Sequence, residues 1–290
     1  MSWHCATHSG PFHADDVLAM GLIRSFLDPD ATVERTRDPA RLAQADLVFD
    51  VGAVFDAATH RFDHHQAAYE GPLSSAGMVL AWLADEGHVA SELRAHLDDA
   101  LVTYVDDVDN GRRAPVSGLP CFARMVDAFN QPAETEADYL AAFEAAAGMA
   151  QRVVEGLAAE HAAIQHARAV VAEAMVEADR EGRRVLFFDR YVRWKPAYFG
   201  LGGANHSSAF VLFPASDGAS WRVVAIPPEE GSFAQKVSLP EAWAGLTDGA
   251  LEAVTDIPGS VFCHKNRFIA VFATREGAVA AMVQMDMMRG

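Results

Sequence analysis

The sequence predicts an α/β protein: a catalytic domain on a parallel sheet, joined by a long helical connector to a smaller α+β domain. Three observations carry this. Short apolar strands alternate with amphipathic helices over the first third of the chain. A stretch rich in alanine and charge, Glu134 to Asp179, has no proline and glycine only at Gly148 and Gly156. After Gly182 the texture changes to compact β-rich segments. At 290 residues the chain is near the size at which one core stops growing, and the expected boundaries are 1–135, 136–182 and 183–290.

Ser2 to Thr7 reads as a buried strand that delivers His8 at its carboxyl end, and Asp15 to Leu27 follows as a helix. Thr32 to Arg35 is a second strand, Pro39 to Ala43 a short helix, and Ala45 to Val51 a third strand ended by Gly52. Ser74-Ser75-Ala76-Gly77 opens a helix through Ala84. Ser91 to Tyr104 forms another, with Leu93, Leu97, Leu101 and Val105 on one face. The connector reads as one bent helix or two in succession, its stripe including Met149, Val153, Leu157, Ile164 and Val170. In the last third, Arg184 to Phe188, Ala209 to Phe213, Trp221 to Ile226, Val261 to His264 and Phe268 to Phe272 are strands. Helices cover part of Glu241 to Val254 and of Arg275 to Met288.

Lys and Arg number 23 against 40 Asp and Glu, a formal charge of -17, which disfavours a duplex-DNA footprint or an anionic membrane surface. Cys5, Cys121 and Cys263 are far apart and form no CxxC pair, which fits a reducing compartment. No basic flank precedes an apolar leader, and no window approaches the roughly 20 apolar residues of a membrane span. The expectation is a cytoplasmic protein without a membrane partner; a homo-oligomer is compatible with this composition.

The chemistry lies in four clusters of nitrogen and oxygen ligands: His8-Ser9-Gly10-Pro11-Phe12-His13-Ala14-Asp15-Asp16, Asp50, Arg61-Phe62-Asp63-His64-His65-Gln66, and Asp106-Asp107-Val108-Asp109-Asn110-Gly111. Each sits at the edge of an apolar segment or turn, and together they fit a two-metal hydrolase for borderline or hard divalent ions. His8, His13 and Asp15 are assigned to one side, Asp50 and Asp109 near or between the ions, and His64 to the other side. His65 contacts phosphate or orients the attacking water, and Asp63 fixes a histidine tautomer. Asp16 is either a helix cap or a ligand. Asp106 and Asp107 compete with Asp109, which the Asp-Asn-Gly turn favours. His4, His60, His88, His96, His161 and His166 receive no role.

These runs resemble the DHH phosphoesterase superfamily, and within it the melanocyte proliferating gene family of metal-dependent hydrolases. Thr7 to Asp16, Arg35-Thr36-Arg37-Asp38, Asp50-Val51-Gly52, Arg61 to Gln66, Ser74 to Gly77 and Val105 to Gly111 carry the likeness in the first domain. Trp221-Arg222-Val223, Ser232-Phe233, Leu239 to Leu246 and Thr274 to Ala278 extend it almost to the carboxyl terminus. The resemblance implies a DHH-type catalytic domain, a substrate-binding domain and a cleft between them. It implies two divalent ions, manganese in preference to magnesium, and 3'-to-5' exonuclease activity on short single-stranded RNA or oligonucleotides. It carries His8, His13, Asp15, Asp50, His64 and Asp109 over as metal ligands, with His65 beside them. The chain departs from the superfamily in having His13 where an aspartate is usual, and in lacking paired glycines and a histidine around Phe268 to Phe272.

In the second domain Arg193, Lys195, His206, His264, Lys265 and Arg267 are candidate substrate contacts. Tyr191, Trp194, Tyr198 and Phe199 lie among or near them and could stack bases. Gly200 to His206 reads as a flexible loop offering backbone N–H groups to phosphate. It lacks the Lys-Ser/Thr ending of a P-loop, which excludes an ATPase of that kind. Two other readings stay open: a phosphoanhydride or small-nucleotide hydrolase, and a metal-bearing assembly protein without nuclease activity.

Overall fold

In the computed structural model, which describes residues 2–116, 121–131 and 133–288, the first apolar runs become β1 (His4–Thr7), β2 (Thr32–Arg35) and β3 (Leu47–Phe49). Cys5, Ala6, Leu47 and Phe49 expose no surface. Strands buried on both faces read as such unbroken apolar runs. Cys5 of β1 lies in parallel register with Val33 on one side and Leu47 on the other. Two further strands, β4 (Phe55–Asp56) and β5 (Arg61–Phe62), complete the order β2-β1-β3-β5-β4. β5 runs parallel to β3 and β4 antiparallel to β5. With two residues each, β4 and β5 show no periodicity to a sequence reader. Their consequence is large: β1, β3 and β5 are parallel neighbours, so the residues that follow them emerge at one sheet edge.

The helices of this unit are α1 (Ala14–Phe26), α2 (Pro39–Leu42), α3 (Ser75–Asp85), α4 (Ser91–Leu97), α5 (Thr103–Asp109), α6 (Phe122–Asn130) and the start of α7 (Glu136–Glu181). A π-helical turn at Asp98–Val102 joins α4 to α5, so one helical run carries the chain to Asp109, beyond the end expected at Tyr104. Such a turn re-phases the face that a helix presents and is often found near functional sites. The sequence pattern does not predict α6. Asp106 is buried at the amino end of α3, where one carboxylate oxygen accepts Ser74 N–H at 2.9 Å, Ser74 Oγ–H at 2.6 Å and Gly77 N–H at 3.2 Å. It is thereby spent as a helix cap.

The buried face of α7 differs from the stripe expected of it. Within residues 136–161 the core takes Phe143, Ala146, Ala147, Ala150 and Val154, while Met149, Val153 and Leu157 lie at its margin. The small side chains allow close approach: a Cβ on Gly21 of α1 would stand 2.8 Å from that of Ala150.

Two compact units, Met1–His161 and Ala162–Gly290, divide the chain. In the second, Ala167, Val171, Ala174 and Ala178 of α7 enter a core with Leu186, Tyr198 and Val211. Its sheet has the order β6 (Val185–Phe187), β7 (Phe210–Pro214), β8 (Trp221–Ala225), β10 (Ile269–Phe272), β9 (Ser260–Cys263). Among its described strands only the β6 and β7 pair is parallel. α8 (Trp194–Gly200), α9 (Asp248–Thr255) and α10 (Arg275–Gln284) complete the unit. Among the described residues no helix is long and apolar enough to cross a membrane.

A Cβ at position 77 would meet the Asp106 carboxylate at 2.3 Å. Gly77→Ala should therefore lower the unfolding free energy by roughly 1–3 kcal/mol through overpacking. Gly148→Ala, in α7 with nothing within 4 Å of the added Cβ, should be neutral or stabilising. Urea denaturation of the two variants checks the contrast, and equal stabilities would contradict the cap assignment.

Candidate metal centre

Three strand ends build the floor of the site. His8 follows β1, Asp50 follows β3, and Asp63, His64 and His65 follow β5. Asp15 and Asp16 come from the first turn of α1, where the helix dipole favours negative charge. Asp109 is the last residue of α5.

The side chains converge closely. His8 Nε2 lies 3.2 Å from both Asp16 and Asp50, and His64 Nε2 lies 3.1 Å from Asp109, 3.5 Å from Asp50 and 3.8 Å from Asp15. His8 Nδ1 is 3.2 Å from the Ser9 carbonyl, and His64 Nδ1 is 3.3 Å from the Asn110 amide oxygen. Asn110 is oriented by its own NH2, which donates to the Asp106 and Pro72 carbonyls. An acceptor behind each ring puts a proton on Nδ1 and turns Nε2 into the cluster, the nitrogen that would be offered to a metal once its proton is displaced.

The donor set has the character of a cation site. His8 Nε2, Asp15 Oδ1, Asp16 Oδ2, Asp50 Oδ1 and His64 Nε2 are buried and satisfy no hydrogen bond. Buried polar atoms normally find partners, and here five without one face a common space. Ligand atoms of His8, His13 and Asp50, of His13, Asp15 and Asp109, of Asp50, His64 and His65, and of Asp15, Asp16 and Asp50 fall within 4.8 Å of one another in each group. All six residues expected as ligands are thus brought together, His13 from an exposed position. Asp16 joins them. It is both cap and cluster member: Oδ1 accepts the His13 N–H at 2.9 Å while Oδ2 faces His8.

Asp63 is buried and holds the outer histidine. Oδ1 receives the His65 Nδ1–H at 2.8 Å and the His65 N–H at 3.1 Å, while Oδ2 receives the Ala53 N–H at 2.6 Å. Nε2 of His65 is then the free nitrogen on a ring whose side chain is 61% exposed. Asp106, bound to α3, stands outside the cluster.

Two contributors carry no ligand signature in the sequence. Ser75 Oγ–H donates to Asp15 Oδ2 at 2.6 Å. The Arg35 guanidinium lies between the Phe12 and Phe143 rings, 5.2 and 4.9 Å from their centroids and 3.9 Å from Asp16. Burial lowers its pKa, with Asp16 opposing, and it remains a fixed positive charge beside the acids.

The second unit treats the expected substrate contacts unequally. His206 is withdrawn: Nδ1 is 2.9 Å from Ser208 Oγ and Nε2 3.2 Å from Asp179, with only a tenth of the side chain exposed. The Gly200 to His206 segment is pinned by Lys236, whose Nζ donates to Tyr198 Oη, the Gly203 carbonyl and the His206 carbonyl at 3.0, 2.7 and 2.8 Å. Gly203 packs so closely on Tyr198 that a Cβ would come within 2.3 Å of that ring. Trp194 and Tyr198 are core residues, because Trp194 to Gly200 folds as α8 and turns them inward; neither offers a face to a base. Lys195 remains exposed, and with Phe268, Asn266 and Phe233 it lines a cavity of about 400 Å³. Arg193 is exposed beside it in sequence; His264, Lys265 and Arg267 lie in the β9 to β10 turn.

Burial pulls the His8 imidazole down, but the adjacent Asp16 and Asp50 carboxylates outweigh it and hold the ring at about 10, from an ordinary 6.5. Burial is likewise overcome at His64, where Asp109 and Asp50 hold the ring at about 11. Asp50 is pushed up by burial yet brought to about 2 by His64 and His8. Asp15 is the reverse, raised well above its ordinary range by burial and then by Asp50, Asp109 and Asp16. With folded values above 6.5, the two imidazoles add stability that is full below about pH 6.5 and lost as pH rises through about 10 to 11. At pH 7 both are protonated in the ion-free protein, so a divalent ion that takes their nitrogens must displace protons. Manganese binding at pH 7 should release at least one proton per protein, and apparent affinity should rise with pH. Calorimetry in buffers of different ionisation enthalpy measures this; binding without proton release would contradict imidazole ligation.

The MYG1_exonuc family model, described as Uncharacterised protein family (UPF0160), matches residues 4–287. The MYG1 protein of Chlamydia pneumoniae is 38% identical over 278 residues, 95% of this chain and 94% of that one. The human MYG1 exonuclease is 32% identical over 315 residues, 94% of this chain and 83% of its own length. Among solved structures, RecJ of Thermus thermophilus in complex with Mn2+ aligns over 98% of this chain and 52% of its own, with a TM-score of 0.32 and 17% identity. The pGpG-specific phosphodiesterase PggH of Vibrio cholerae aligns over 98% and 99%, with a TM-score of 0.33 and 12% identity. The match along nearly the whole length places this chain in the MYG1 exonuclease family, and with it among the hydrolytic phosphoesterases.

Proposed function

We propose that this chain is a two-metal exonuclease that removes nucleotides from the 3' end of short single-stranded RNA, with manganese preferred over magnesium. The observation that carries the proposal is the convergence of His8, His13, Asp15, Asp16, Asp50, His64 and Asp109 around ring nitrogens and carboxylate oxygens that lack other partners. These residues would hold the ions. Divalent ions in such a set supply positive charge to a phosphoryl group and acidify water.

The chain's own residues do the rest. The buried acids and the backing of Ser9 and Asn110 keep the ligand nitrogens aimed before substrate arrives. His65, with Nδ1 committed to Asp63, keeps Nε2 as the atom that takes a proton from the attacking water or donates to a phosphate oxygen. Asp109 completes the ligand set opposite His64. In the second unit Arg193, Lys195, Lys265 and Arg267 supply phosphate contacts. His264 lies against Phe268 at 4.5 Å between centroids and offers, with Phe233, a surface for stacking. A net charge of -17 favours a short single strand over a duplex. The unpaired Cys5, Cys121 and Cys263 fit a cytoplasmic setting.

The test supplies manganese to purified protein with end-labelled short RNA, short DNA, dinucleotides and pyrophosphate in parallel. RNA should shorten from its 3' end, and a chelator should abolish the reaction. His65→Ala should lower turnover by roughly 10²–10⁴ while keeping its metal, whereas His64→Ala should lose both. Hydrolysis of pyrophosphate alone would replace the proposal with a phosphoanhydride hydrolase, and no hydrolysis at all with an assembly role. Equal metal loss in both variants would overturn the division between the two histidines.

A further inference from the structure

Next to the metal cluster, and built wholly from the first unit, lies a pocket of about 730 Å³. That volume is in the range of small-molecule sites, about 300–1,000 Å³. One end is formed by His8, Asp50 and His65; Pro39 and Leu42 of α2 and Val51 and Val54 after β3 give it apolar wall, with Arg37 and Arg61 also lining it. Val54 is 47% exposed, so its side chain is open to a bound group.

The wall after β3 is held in a costly shape. Asp50, Gly52 and Ala53 all have positive φ, 57°, 100° and 53°. For the two residues with a Cβ this conformation is disfavoured, and such strain persists where the surroundings impose it, often at functional sites. Here the Ala53 N–H is anchored on Asp63, the carboxylate that also orients His65. One buried group therefore sets the pocket wall and the outer histidine together.

Two arginines line the pocket, and only one is available to a ligand. Arg61 spends its guanidinium on the carbonyls of Thr59, His60, Leu42 and Ala45. Arg37 is exposed and makes no hydrogen bond or ion pair among the described residues. The site thus offers a phosphate-handling end, an exposed cation and apolar wall, with no amide or hydroxyl side chain to read hydrogen-bonding groups.

The geometry points to this pocket as the seat of the terminal nucleoside of the substrate, its base against Pro39, Leu42, Val51 and Val54 and its phosphate between Arg37 and the cluster. This rests on the phosphodiesterase reading and deepens it. A pocket that seats one terminal unit accounts for cleavage from an end, and the apolar side chains of Pro39, Leu42, Val51 and Val54 do not distinguish one base from another.

Calorimetric titration of the full manganese-loaded chain with AMP, UMP and inorganic phosphate tests the assignment. AMP should bind about tenfold or more tightly than inorganic phosphate, since burying a base adds apolar contact, and UMP within about threefold of AMP. Ala43→Trp, which fills the pocket from an exposed lining position, should reduce the AMP advantage to below about threefold, and Arg37→Ala should weaken AMP by roughly fivefold. Manganese content should be unchanged in both. Equal binding of AMP and phosphate by the unaltered chain, or an undiminished AMP advantage in Ala43→Trp, would overturn the pocket. Hydrolysis of bis(4-nitrophenyl) phosphate by the unaltered chain separates the two levels. If that diester is cleaved without nucleotide preference, the pocket alone falls. If neither it nor RNA is cleaved, the reading beneath the pocket falls as well.

Discussion

The first unit is organised around charge confined at one edge of a parallel sheet. Asp15, Asp16 and Asp50 are buried, and Asp109 closes the group. Removing carboxylates from water costs several kcal/mol each unless they are paired, and among themselves they repel. The position of Asp109 adds to the difficulty, because the carboxyl end of a helix such as α5 disfavours a negative group. Two imidazoles and the Arg35 guanidinium offset part of this charge, and the buried atoms without partners mark where more positive charge belongs.

The rest of the unit makes that confinement reproducible. Parallel pairing of β1, β3 and β5 fixes the order in which His8, Asp50 and His64 appear along the edge. A register slip of one residue would turn Asp50 to the other face of the sheet. α1 supplies two acids from a favourable helix end, and the π-helical turn before α5 sets the phase at which Asp106 reaches α3 and Asp109 reaches His64. Ser9, Asn110, Ser75 and Asp63 then remove the remaining freedom of ring and carboxylate. Each acts on the site without needing to touch substrate.

Much of this is legible in the sequence because ligand types stand directly after apolar runs, and an apolar run of four to seven residues followed by His or Asp is a strand with a functional end. The α/β class, the first three strands and the placing of His8 and Asp50 at strand ends follow from that pattern, whereas His13, Asp15, His64 and Asp109 are expected from the clustering of ligand types and from the family resemblance. What stays hidden depends on contacts distant in sequence. β4 and β5 are too short to show a period, and α8 carries aromatics whose burial is decided by the second core rather than by their neighbours. Trp194, Tyr198 and His206 therefore read as substrate-facing, whereas packing and the Lys236 network withdraw them. The α7 face escapes the pattern because alanine gives little hydrophobic signal, although it permits the close approach that Gly21 shares. Asn110 and Ser75 are visible as residues, but their partners lie 46 and 60 positions away.

The acidic and imidazole cluster at the ends of β1, β3 and β5 has the donor set of a divalent-cation site. Anomalous diffraction from crystals grown with manganese, paired with elemental analysis of the same protein and of Asp50→Ala, tests it most directly. Anomalous peaks are expected among His8, Asp50, His64 and Asp109, with a sharp fall in manganese content in Asp50→Ala. Peaks only elsewhere in the molecule, with manganese fully retained by Asp50→Ala, would contradict it.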